Sequence, residues 1–539
     1  MGEWFMRRWF PRTVVPAALV MTVALPAAAV EYYVDTSGSD GNDGSTASPW
    51  LTIGHAASAA AAGDTVWVNW GVYQEGGERL TIDCAGTETE RIRFVAVPRG
   101  TDPAERAVID GRDTPLGEWS PLVRIGGAYV DFEGFEIRGS AGGCLQISGD
   151  YNLVRGNEIH DCNNNGVVVC RGDMCSETVV GVRFDGNTLY EASQKNHDGL
   201  SPAWDGGLST NNAQDAQFTG NLVYHNHGEG ICVLLARDTL VSGNTVYDNF
   251  SVNIYNDNSA GTRIEGNFSY CTADSGYERD GSRAGGIILT SEDRAAGMLS
   301  EDVTVVNNIV FGCRVGFLFS YWGTTSPPVM SNVLVANNTF VRLEGGSWPV
   351  GIQISSDITS QPGSAIVNNI VYQDNGQPTF EGDPIEATLD HNAWYGTTPA
   401  TAEGPGDIGD DPLLVNVGGT APEDYRILAG SPCIDAATSL ADVTVDFFGT
   451  PRPLPSGGAS DIGAHEFGTT PPADEEGEDW PDDAGSDDSP DDAAGEDLQG
   501  DAAVDAADVD AAADLPAGDP GTDAGEDDEA QGGCSCIVD

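Results

Sequence analysis

The sequence predicts an all-β protein whose body is a right-handed parallel β-helix, with a short N-terminal capping helix and a disordered acidic C-terminal tail. Gly-Asn or Asn-Asn pairs, each followed by an apolar residue, return at intervals along most of the chain. Short β-rich runs such as 231–235 lie between them, without the apolar spacing of a helix. A repeated unit of this size is typical of a solenoid.

The first segment, residues 1–29, has the composition of a secretory signal peptide. Arg7 and Arg8 precede an apolar run over 14–25, and the small residues Ala27-Ala28-Ala29 follow it. This order of basic, apolar and small residues predicts cleavage and a secreted, extracellular or cell-surface protein. No later run is apolar for long enough to cross a bilayer, so the mature chain is predicted to lack a transmembrane span.

Residues 30–75 are predicted to cap the first coil of the solenoid. The small residues of 51–62 indicate a helix that Gly63-Asp64 closes, and 65–68 indicates the strand after it. Solenoid ends expose unpaired strand edges, which favour aggregation unless another segment covers them. A helix at this position would supply that cover.

Residues 76–400 contain the repeats. Their marker pairs end at Asn157, Asn187, Asn221, Asn244, Asn267, Asn308, Asn338, Asn369 and, in the variant His391-Asn392, at Asn392. The intervals are 30, 34, 23, 23, 41, 30, 31 and 23 residues, so insertions lengthen a basic unit of 23. Asparagines stacked in this way are predicted to hydrogen-bond from coil to coil, a structural role that their spacing explains by itself.

Residues 401–467 are predicted to close the solenoid, and residues 468–539 form the acidic tail. The whole chain has a net charge of −60, and residues 471–539 contain 25 acidic residues and no Lys or Arg. Such a segment buries too little apolar surface to offset its ordering entropy, so we expect disorder. The charge also excludes nucleic acid as a partner, because no basic stripe is available to neutralise phosphates.

Three cysteines, Cys162, Cys170 and Cys175, lie close enough together in sequence to predict a local disulfide in an exported protein. Their spacing does not suit a zinc site.

Two groups of motifs give the chain a family resemblance. The opening motifs lie at 32–44, 48–53, 62–66 and 71–73, and the closing ones, such as Gly430-Ser-Pro-Cys-Ile-Asp435 and Asp461-Ile-Gly-Ala-His-Glu466, lie near the end of the body. They resemble the pectate-lyase-like right-handed parallel β-helix superfamily, in particular its exported bacterial repeat proteins. The superfamily includes lyases, hydrolases, epimerases and binding proteins, so the resemblance implies a fold and not one activity.

A further motif, Gly532-Gly-Cys534-Ser-Cys536, is similar to the cysteine motif of C-terminal sorting tails. The resemblance implies attachment to the cell surface through Cys534 or Cys536.

The repeat register groups several polar residues on one face. Aligning the repeats at Gly220 and Gly243 places Ile231 over Ile254. Strands that begin with Gly and an apolar residue are also expected at 199 and 286, and including them in the alignment makes Asp198 and Glu229 neighbours in adjacent coils. Two acids at strand spacing would share a cation or repel, and either makes a site. The alternative is a solvated acidic turn. The predicted catalytic group comprises Lys195, His197, Asp198, Glu229 and Arg283.

Other side chains on this face are predicted to contact substrate. Asp257 aligns with Thr290 at the strand exits, with Glu292 nearby, while inserted loops at 201–207 and 273–283 flank the regular coils. Aromatic rings in such loops suit stacking on sugar rings, although packing onto the coils is equally expected. The predicted substrate-binding group comprises Trp204, His227, Tyr255, Asp257, Tyr277 and Glu292.

These groups allow three functions with an extracellular polysaccharide as partner. A uronan lyase needs a base and a positive group beside the sugar carboxylate. Resemblance to the calcium-assisted, lysine-using pectate lyases assigns Lys195 as that base, Asp198 and Glu229 as candidate Ca²⁺ ligands, and Arg283 as a carboxylate clamp. The alternatives are a glycoside hydrolase that uses Asp198 and Glu229 as acid and base, or a non-enzymatic surface adhesin or scaffold.

Overall fold

A computed structural model describes residues 28–98, 105–197, 206–292, 299–323, 328–346 and 348–468. The predicted signal peptide lies outside this range except for its last two residues, and so does the predicted tail from residue 469 onward. The described residues form two compact units, one of 28–194 with 206–224 and the other of 195–197 with 225–468. Parallel sheets of short, solenoid-like coils build both units, which confirms the predicted fold class.

The first unit contains twenty short strands. In chain order they are β1 (Glu31–Val34), β2 (Thr65–Asn69), β3 (Gly71–Tyr73), β4 (Leu80–Ile82), β5 (Ile92–Val97), β6 (Ala107–Asp110), β7 (Pro121–Ile125), β8 (Val130–Glu133), β9 (Glu136–Ser140), β10 (Gly143–Ile147), β11 (Leu153–Arg155), β12 (Glu158–Cys162), β13 (Val167–Val169), β14 (Val179–Val180), β15 (Arg183–Asp185), β16 (Thr188–Tyr190), β17 (Gly206–Asn211), β18 (Ala213–Gln214), β19 (Gln217–Thr219) and β20 (Leu222–Tyr224).

These strands form three parallel sheets and one small pair. Sheet A has the order β1-β2-β5-β8-β11-β15-β19, sheet B the order β4-β7-β10-β13-β17, and sheet C the order β3-β6-β9-β12-β16-β20, while β14 pairs with β18. Successive strands of a sheet come from successive coils, so the inward residues of each coil pack on those of the next.

The second unit contains the remaining strands. They are β21 (Glu229–Leu234), β22 (Leu240–Ser242), β23 (Thr245–Tyr247), β24 (Val252–Asp257), β25 (Arg263–Glu265), β26 (Phe268–Tyr270), β27 (Gly285–Glu292), β28 (Thr304–Val306), β29 (Ile309–Phe311), β30 (Val315–Trp322), β31 (Leu334–Ala336), β32 (Thr339–Val341), β33 (Val350–Ile354), β34 (Ala365–Val367), β35 (Ile370–Tyr372), β36 (Phe380–Glu381), β37 (Thr388–Asp390) and β38 (Ala393–Tyr395).

They also form three parallel sheets. Sheet D has the order β22-β25-β28-β31-β34-β37, sheet E the order β21-β24-β27-β30-β33-β36, and sheet F the order β23-β26-β29-β32-β35-β38. Short 3-10 helices lie between or after the strands, at Glu75–Gly77, Asp173–Cys175, Gln194–Asn196, Ser275–Tyr277, Ala400–Ala402 and Pro422–Tyr425.

The predicted capping helix is present as α1, Ile53–Ala59. Thr52 caps it, with its Oγ1 accepting a hydrogen bond from the His55 backbone N–H at 3.2 Å. The carboxylate of Glu75 accepts from the N–H groups of Ile53 and Gly54, both at 2.9 Å. These acceptors satisfy the free N–H groups of the first turn and place negative charge at the positive end of the helix.

The marker asparagines form buried ladders, as predicted. In the first unit the backbone and side-chain N–H groups of Asn157 donate to Asn187 Oδ1 at 3.0 Å, and Asn187 donates in the same way to Asn221. The second unit repeats this arrangement from Asn244 to Asn392, with distances of 2.9–3.0 Å.

The residue before each ladder asparagine explains the Gly-Asn and Asn-Asn pairs. It adopts a left-handed conformation, with φ of +61° at Gly156, +54° at Asn307 and +51° at His391. Glycine takes this conformation without a steric penalty, and Asn and His take it more readily than bulky residues do. The variant pair at 391–392 therefore satisfies the same backbone requirement.

The closing segment runs back along the outside of the second unit. Tyr425 and Ile462 pack in one apolar cluster with Ile370 of sheet F, and Val443 packs against Val306 and Val367 of sheet D. The predicted boundaries at 75, 400 and 467 stay predictions, but the strands themselves end at Tyr395.

Three disulfides join Cys144 with Cys162, Cys170 with Cys175, and Cys271 with Cys313. The local bridge predicted among Cys162, Cys170 and Cys175 is thus formed by the last two. Among the described helices, none has the length and apolar character to cross a membrane.

Candidate functional site

The candidate site lies on the outer face of sheet E in the second unit. Ile231 of β21 pairs with Ile254 of β24, which pairs with Ile287 of β27, and Asp257 pairs with Thr290. These registers confirm the alignment predicted from the 23-residue repeat. Residues that precede and follow the strands therefore come together from several coils.

Glu229 faces outward at the start of β21. A Cβ on the next residue, Gly230, would meet the buried side chain of Val246, so position 230 faces the core. Val252, which aligns with Glu229, packs instead in the outer layer with Tyr255. Glu229 is only 1% exposed, so its carboxylate lies beneath the surface of this face.

The segment 195–197 lies against the turn before β21. The Asn196 side chain donates to the His227 carbonyl at 2.6 Å, and the His197 and His227 rings have centroids 4.8 Å apart. Lys195 is half-buried in the 3-10 turn Gln194–Asn196. The predicted residues Lys195, His197 and His227 are therefore brought to the same edge as Glu229.

Tyr277 covers His225 and His227, the two histidines of the turn before β21. Its ring stacks on His225 with a centroid distance of 4.3 Å and an interplanar angle of 3°, and it lies 4.9 Å from the His227 ring. His225 Nε2 is 3.7 Å from a carboxylate oxygen of Asp274. These contacts use a face of the Tyr277 ring for packing, which was the alternative to a sugar-stacking role.

Two arginines add positive charge to this region, since the charge of Arg279 acts on Glu229 and on Arg314. Burial lowers the pKa of Arg279, while the negative charges of Asp280 and Glu229 act in the opposite direction. Burial also lowers the pKa of Arg314, and the nearby charge of Arg279 lowers it further. Two guanidinium groups that act on each other in a partly buried place favour an anion between or beside them.

Arg314 lacks a partner of its own. Within the described part of the chain its guanidinium makes neither a hydrogen bond nor an ion pair; its backbone pairs with Ala284 and Val350. Keeping a cation partly buried without a counter-charge costs free energy. The arrangement is therefore typical of a group that meets a negatively charged ligand.

Trp348 stands on the loop that contacts Arg314 and is 75% exposed. A Cβ on Gly346 would lie 3.0 Å from the Arg314 side chain, and the Val350 N–H donates to the Arg314 carbonyl at 3.2 Å. Residues two positions before and two positions after Trp348 thus contact Arg314. A large exposed aromatic ring beside a cation suits stacking on a sugar ring.

Arg283, the predicted carboxylate clamp, is engaged within the protein. Its Nη1 donates to the Gly312 carbonyl and to Glu344 Oε1, both at 2.9 Å, and its stem lies against Gly345. These contacts tie the loop before β27 to the loop of Trp348. These contacts occupy Nη1 of Arg283, whose clamp role stays a prediction.

Of the predicted substrate contacts, Tyr255 and Asp257 are buried and Glu292 is half-buried. Tyr255 is 3% exposed and Asp257 is fully buried, and the Tyr255 hydroxyl donates to Glu292 Oε1 at 2.9 Å. Burial raises the pKa of Tyr255 well above its usual range, and the charges of Asp257, Glu292 and Glu229 add to this. These groups form a polar floor under the site.

Asp198 and Trp204 lie outside the described residues. The last strand in the order of sheet B is β17 (Gly206–Asn211), whereas the sequence predicted that a strand starts at 199. Asp205 rather than Asp198 therefore precedes this strand in the chain. Among the described side chains, no three of the His, Cys, Asp or Glu type converge as a metal site. The predicted pair of Ca²⁺ ligands stays a prediction, because Asp198 is outside the described residues.

Sequence reasoning missed Arg279, Arg314 and Trp348. Arg314 could have been predicted from the repeat. Val252 pairs with Gly285, and the same register extended by one coil leads to Val315, the residue directly after Arg314. Trp348 and Arg279 stand on inserted loops, whose path the repeat does not specify.

Comparisons with known proteins agree with the fold. Residues 32–269 match the model of the Pel9A-like right-handed beta helix region. Pectate lyase L of Dickeya chrysanthemi is 23% identical over 456 residues, which is 81% of this chain and 90% of that protein. A structure of XylC with xylose is similar at a TM-score of 0.52 and 13% identity, covering 81% of this chain and 98% of XylC.

The uncharacterized protein YwoF of Bacillus subtilis is 36% identical over 94 residues, which is 17% of this chain and 18% of YwoF. This chain therefore spans less than a fifth of that relative. The family model over residues 32–269 and the similarity to pectate lyase L confirm the predicted resemblance to the pectate-lyase-like right-handed parallel β-helix superfamily.

Proposed function

We propose that this chain, which resembles the pectate-lyase-like right-handed parallel β-helix superfamily, is a secreted polysaccharide lyase acting on a uronate-containing glycan. The observation that carries the proposal is Arg314, a partly buried cation without a partner among the described residues, whose charge acts on that of Arg279. A sugar carboxylate is the anion that matches this place in a protein with polysaccharide-acting relatives.

In this proposal the two arginines bind the uronate carboxylate. Their charge stabilises the negative charge that builds up when a base removes the proton from the adjacent ring carbon. The electron pair then forms a ring double bond, and the glycosidic oxygen leaves and takes up a proton. Lys195 is the proposed base, and Glu229 holds Arg279 in place.

Calcium enters the proposal only as a condition of the activity assay, which is run with and without Ca²⁺. Glu229 lies beside Arg279, which already opposes its charge, and its predicted co-ligand Asp198 is outside the described residues. No step of the proposed reaction is assigned to a metal.

A glycoside hydrolase is the second candidate. Three carboxylates, Glu229, Asp257 and Glu292, surround Tyr255 on this face, and a net charge of −60 opposes the approach of a polyanion. A pair of carboxyl groups on a neutral glycan would act as acid and base.

A panel of acidic and neutral polysaccharides, incubated with and without Ca²⁺, tests the proposal. The lyase produces reducing ends together with the ultraviolet absorbance of an unsaturated sugar, and Glu229→Gln lowers that rate while the fold is retained. Reducing ends without the absorbance would indicate the hydrolase. No turnover on any glycan, with binding unchanged after substitution of Lys195 and Glu229, would favour a surface adhesin or scaffold.

The predicted signal at 1–29 supports an extracellular location for this activity. Attachment of the tail to the cell surface through Cys534 or Cys536 is part of the same proposal. Finding the full-length protein only in culture medium with unmodified cysteines would contradict it.

A further inference from the structure

A cavity of about 500 Å³ lies on the outer face of sheet A in the first unit. Its volume is within the range of small-molecule sites, roughly 300–1,000 Å³. A second cavity of about 400 Å³ shares Glu88, Arg91 and Asp131 with it. The two adjoin and together form one depression, whose combined size suits a chain of several sugar units better than a single small molecule.

The floor of the first cavity follows from the strand register. Asp131 of β8, Leu153 of β11 and Arg183 of β15 stand opposite one another in successive coils. Leu153 therefore forms an apolar floor between an acidic and a basic side chain. Polar ends with a small apolar floor match a pyranose ring, which has hydroxyl groups at its edge and C–H groups on its faces.

The wall of the cavity is a pair of tyrosines. Tyr129 and Tyr151 stack with ring centroids 4.9 Å apart, and a Cβ on Gly181 would lie 2.4 Å from the Tyr151 ring. Both faces of Tyr151 are therefore covered, yet the residue is 43% exposed. Its exposed edge and hydroxyl suit hydrogen bonding to a sugar rather than stacking on it.

Arg183 is the cation of this cavity that remains available. Arg91 pairs with Asp131 at 2.6 Å, and Arg93 of the adjoining cavity pairs with Glu133 at 3.1 Å. In the part of the chain that the structure describes, the guanidinium of the exposed Arg183 has no ion pair or hydrogen bond. A ligand carboxylate would complete this end of the site.

We propose that this depression is a second, non-catalytic site for an acidic oligosaccharide, with a uronate carboxylate on Arg183 and its ring over Leu153. The site goes beyond the proposed lyase activity, because none of its residues belongs to sheet E. It would hold one part of a polysaccharide while another part is processed elsewhere, which increases effective affinity without new contacts at the active site.

Calorimetric titration with trigalacturonate tests the proposal. The titration uses Arg314→Gln, which removes the proposed anion contact of the second unit, and compares it with double variants that also contain Arg183→Gln or Leu153→Trp. Arg155→Gln is the matched control, because Arg155 lies on the same sheet, pairs with Asp185 and does not line the cavity.

We expect Arg314→Gln to bind trigalacturonate, with at least tenfold weaker binding after Arg183→Gln or Leu153→Trp and unchanged binding after Arg155→Gln. The methyl ester of the trisaccharide should bind weakly and be insensitive to Arg183→Gln. Equal binding by all variants, or no binding at millimolar ligand, would overturn the proposal. Failure of the lyase proposal gives a separate result. The parent protein and Arg314→Gln would then bind the same number of trigalacturonate molecules.

Discussion

Substitution of the single residue Arg314 tests the chemistry proposed for the candidate site. Replacing it with Gln removes the charge-assisted hydrogen bonds that the proposal gives to a uronate carboxylate, worth about 1.5–3 kcal/mol. We therefore expect kcat/KM on polygalacturonate to fall by about 10- to 100-fold, converted at about 1.4 kcal/mol per tenfold change. The unfolding free energy should stay the same or rise, because a partly buried cation without a described partner is lost.

The matched control for this substitution is Arg342→Gln. Arg342 belongs to the same unit but pairs with Asp374 at 2.6 Å, so its loss should leave turnover unchanged. Equal rates for the parent protein and Arg314→Gln would contradict the clamp role.

The position of a residue along its coil was predictable where the repeat is regular. Glu229 begins β21 and His227 lies two residues before it, so the alignment of coils brings them to one edge. Arg283 shows the limit, because its charge suggested a ligand contact while the fold uses it to join Gly312 and Glu344. Side-chain partners across inserted loops depend on the path of each loop, which sequence spacing does not determine.

At the scale of the structural element, the asparagine ladder predicts a large stability effect. Asn338 Oδ1 accepts two hydrogen bonds from Asn308, and its own N–H groups donate to Asn369 and Val305. Asn338→Ala leaves buried donors and acceptors without partners, each worth about 1–3 kcal/mol. We expect denaturant unfolding to show a loss of about 2–4 kcal/mol.

The surface substitution Asn416→Ala is its control. Asn416 donates to Asp424 at 3.1 Å on an exposed turn, so its loss should change the unfolding free energy by less than about 0.5 kcal/mol. Equal losses for the two variants would show that the ladder does not hold the coils together.

The closing segment predicts a pH dependence of stability. Burial, together with the positive charges of Arg426 and Arg452, lowers the pKa of His465 to about 4. The unfolded chain binds this proton near pH 6.5 and the folded chain only near pH 4. His465 thus contributes stability above pH 6.5 that is lost as the pH falls toward 4, on the order of 2–3 kcal/mol.

His465→Gln should remove that loss while keeping an acceptor for the Ile427 N–H. Asp461 acts in the opposite direction, since burial raises its pKa to about 6, and it is present in both proteins. The comparison of unfolding free energies between pH 7 and pH 4.5 therefore isolates His465. A parallel dependence in the two proteins would contradict the assignment.

The strands and turns were more predictable than the candidate site, because the same backbone requirement repeats from coil to coil. The left-handed residue before each ladder asparagine restricts the sequence to Gly, Asn or a close substitute, and that restriction is visible as a period. The closing segment has no such period. Its return along sheets D and F follows from apolar contacts between residues far apart in the chain, such as Tyr425 and Ile370.

At the scale of the whole molecule, net charge predicts how salt affects the reaction. A charge of −60 repels a polyanionic substrate over distances beyond direct contact. Raising ionic strength from about 0.01 M to about 0.15 M shortens the screening length from roughly 30 Å to 8 Å. We expect KM for polygalacturonate to fall over this range.

A neutral polysaccharide supplies the comparison for this effect, since its KM should not depend on salt. If salt raised KM for the polyuronate instead, attraction at the arginines would outweigh repulsion by the rest of the protein.

The central claim is that a uronate carboxylate binds at Arg314 on the outer face of sheet E. A crystal structure of Glu229→Gln with trigalacturonate tests it most directly. The claim predicts a carboxylate within hydrogen-bond distance of the Arg314 guanidinium and a sugar ring beside Trp348. Saccharide bound elsewhere, with Arg314 left without an anion, would contradict it.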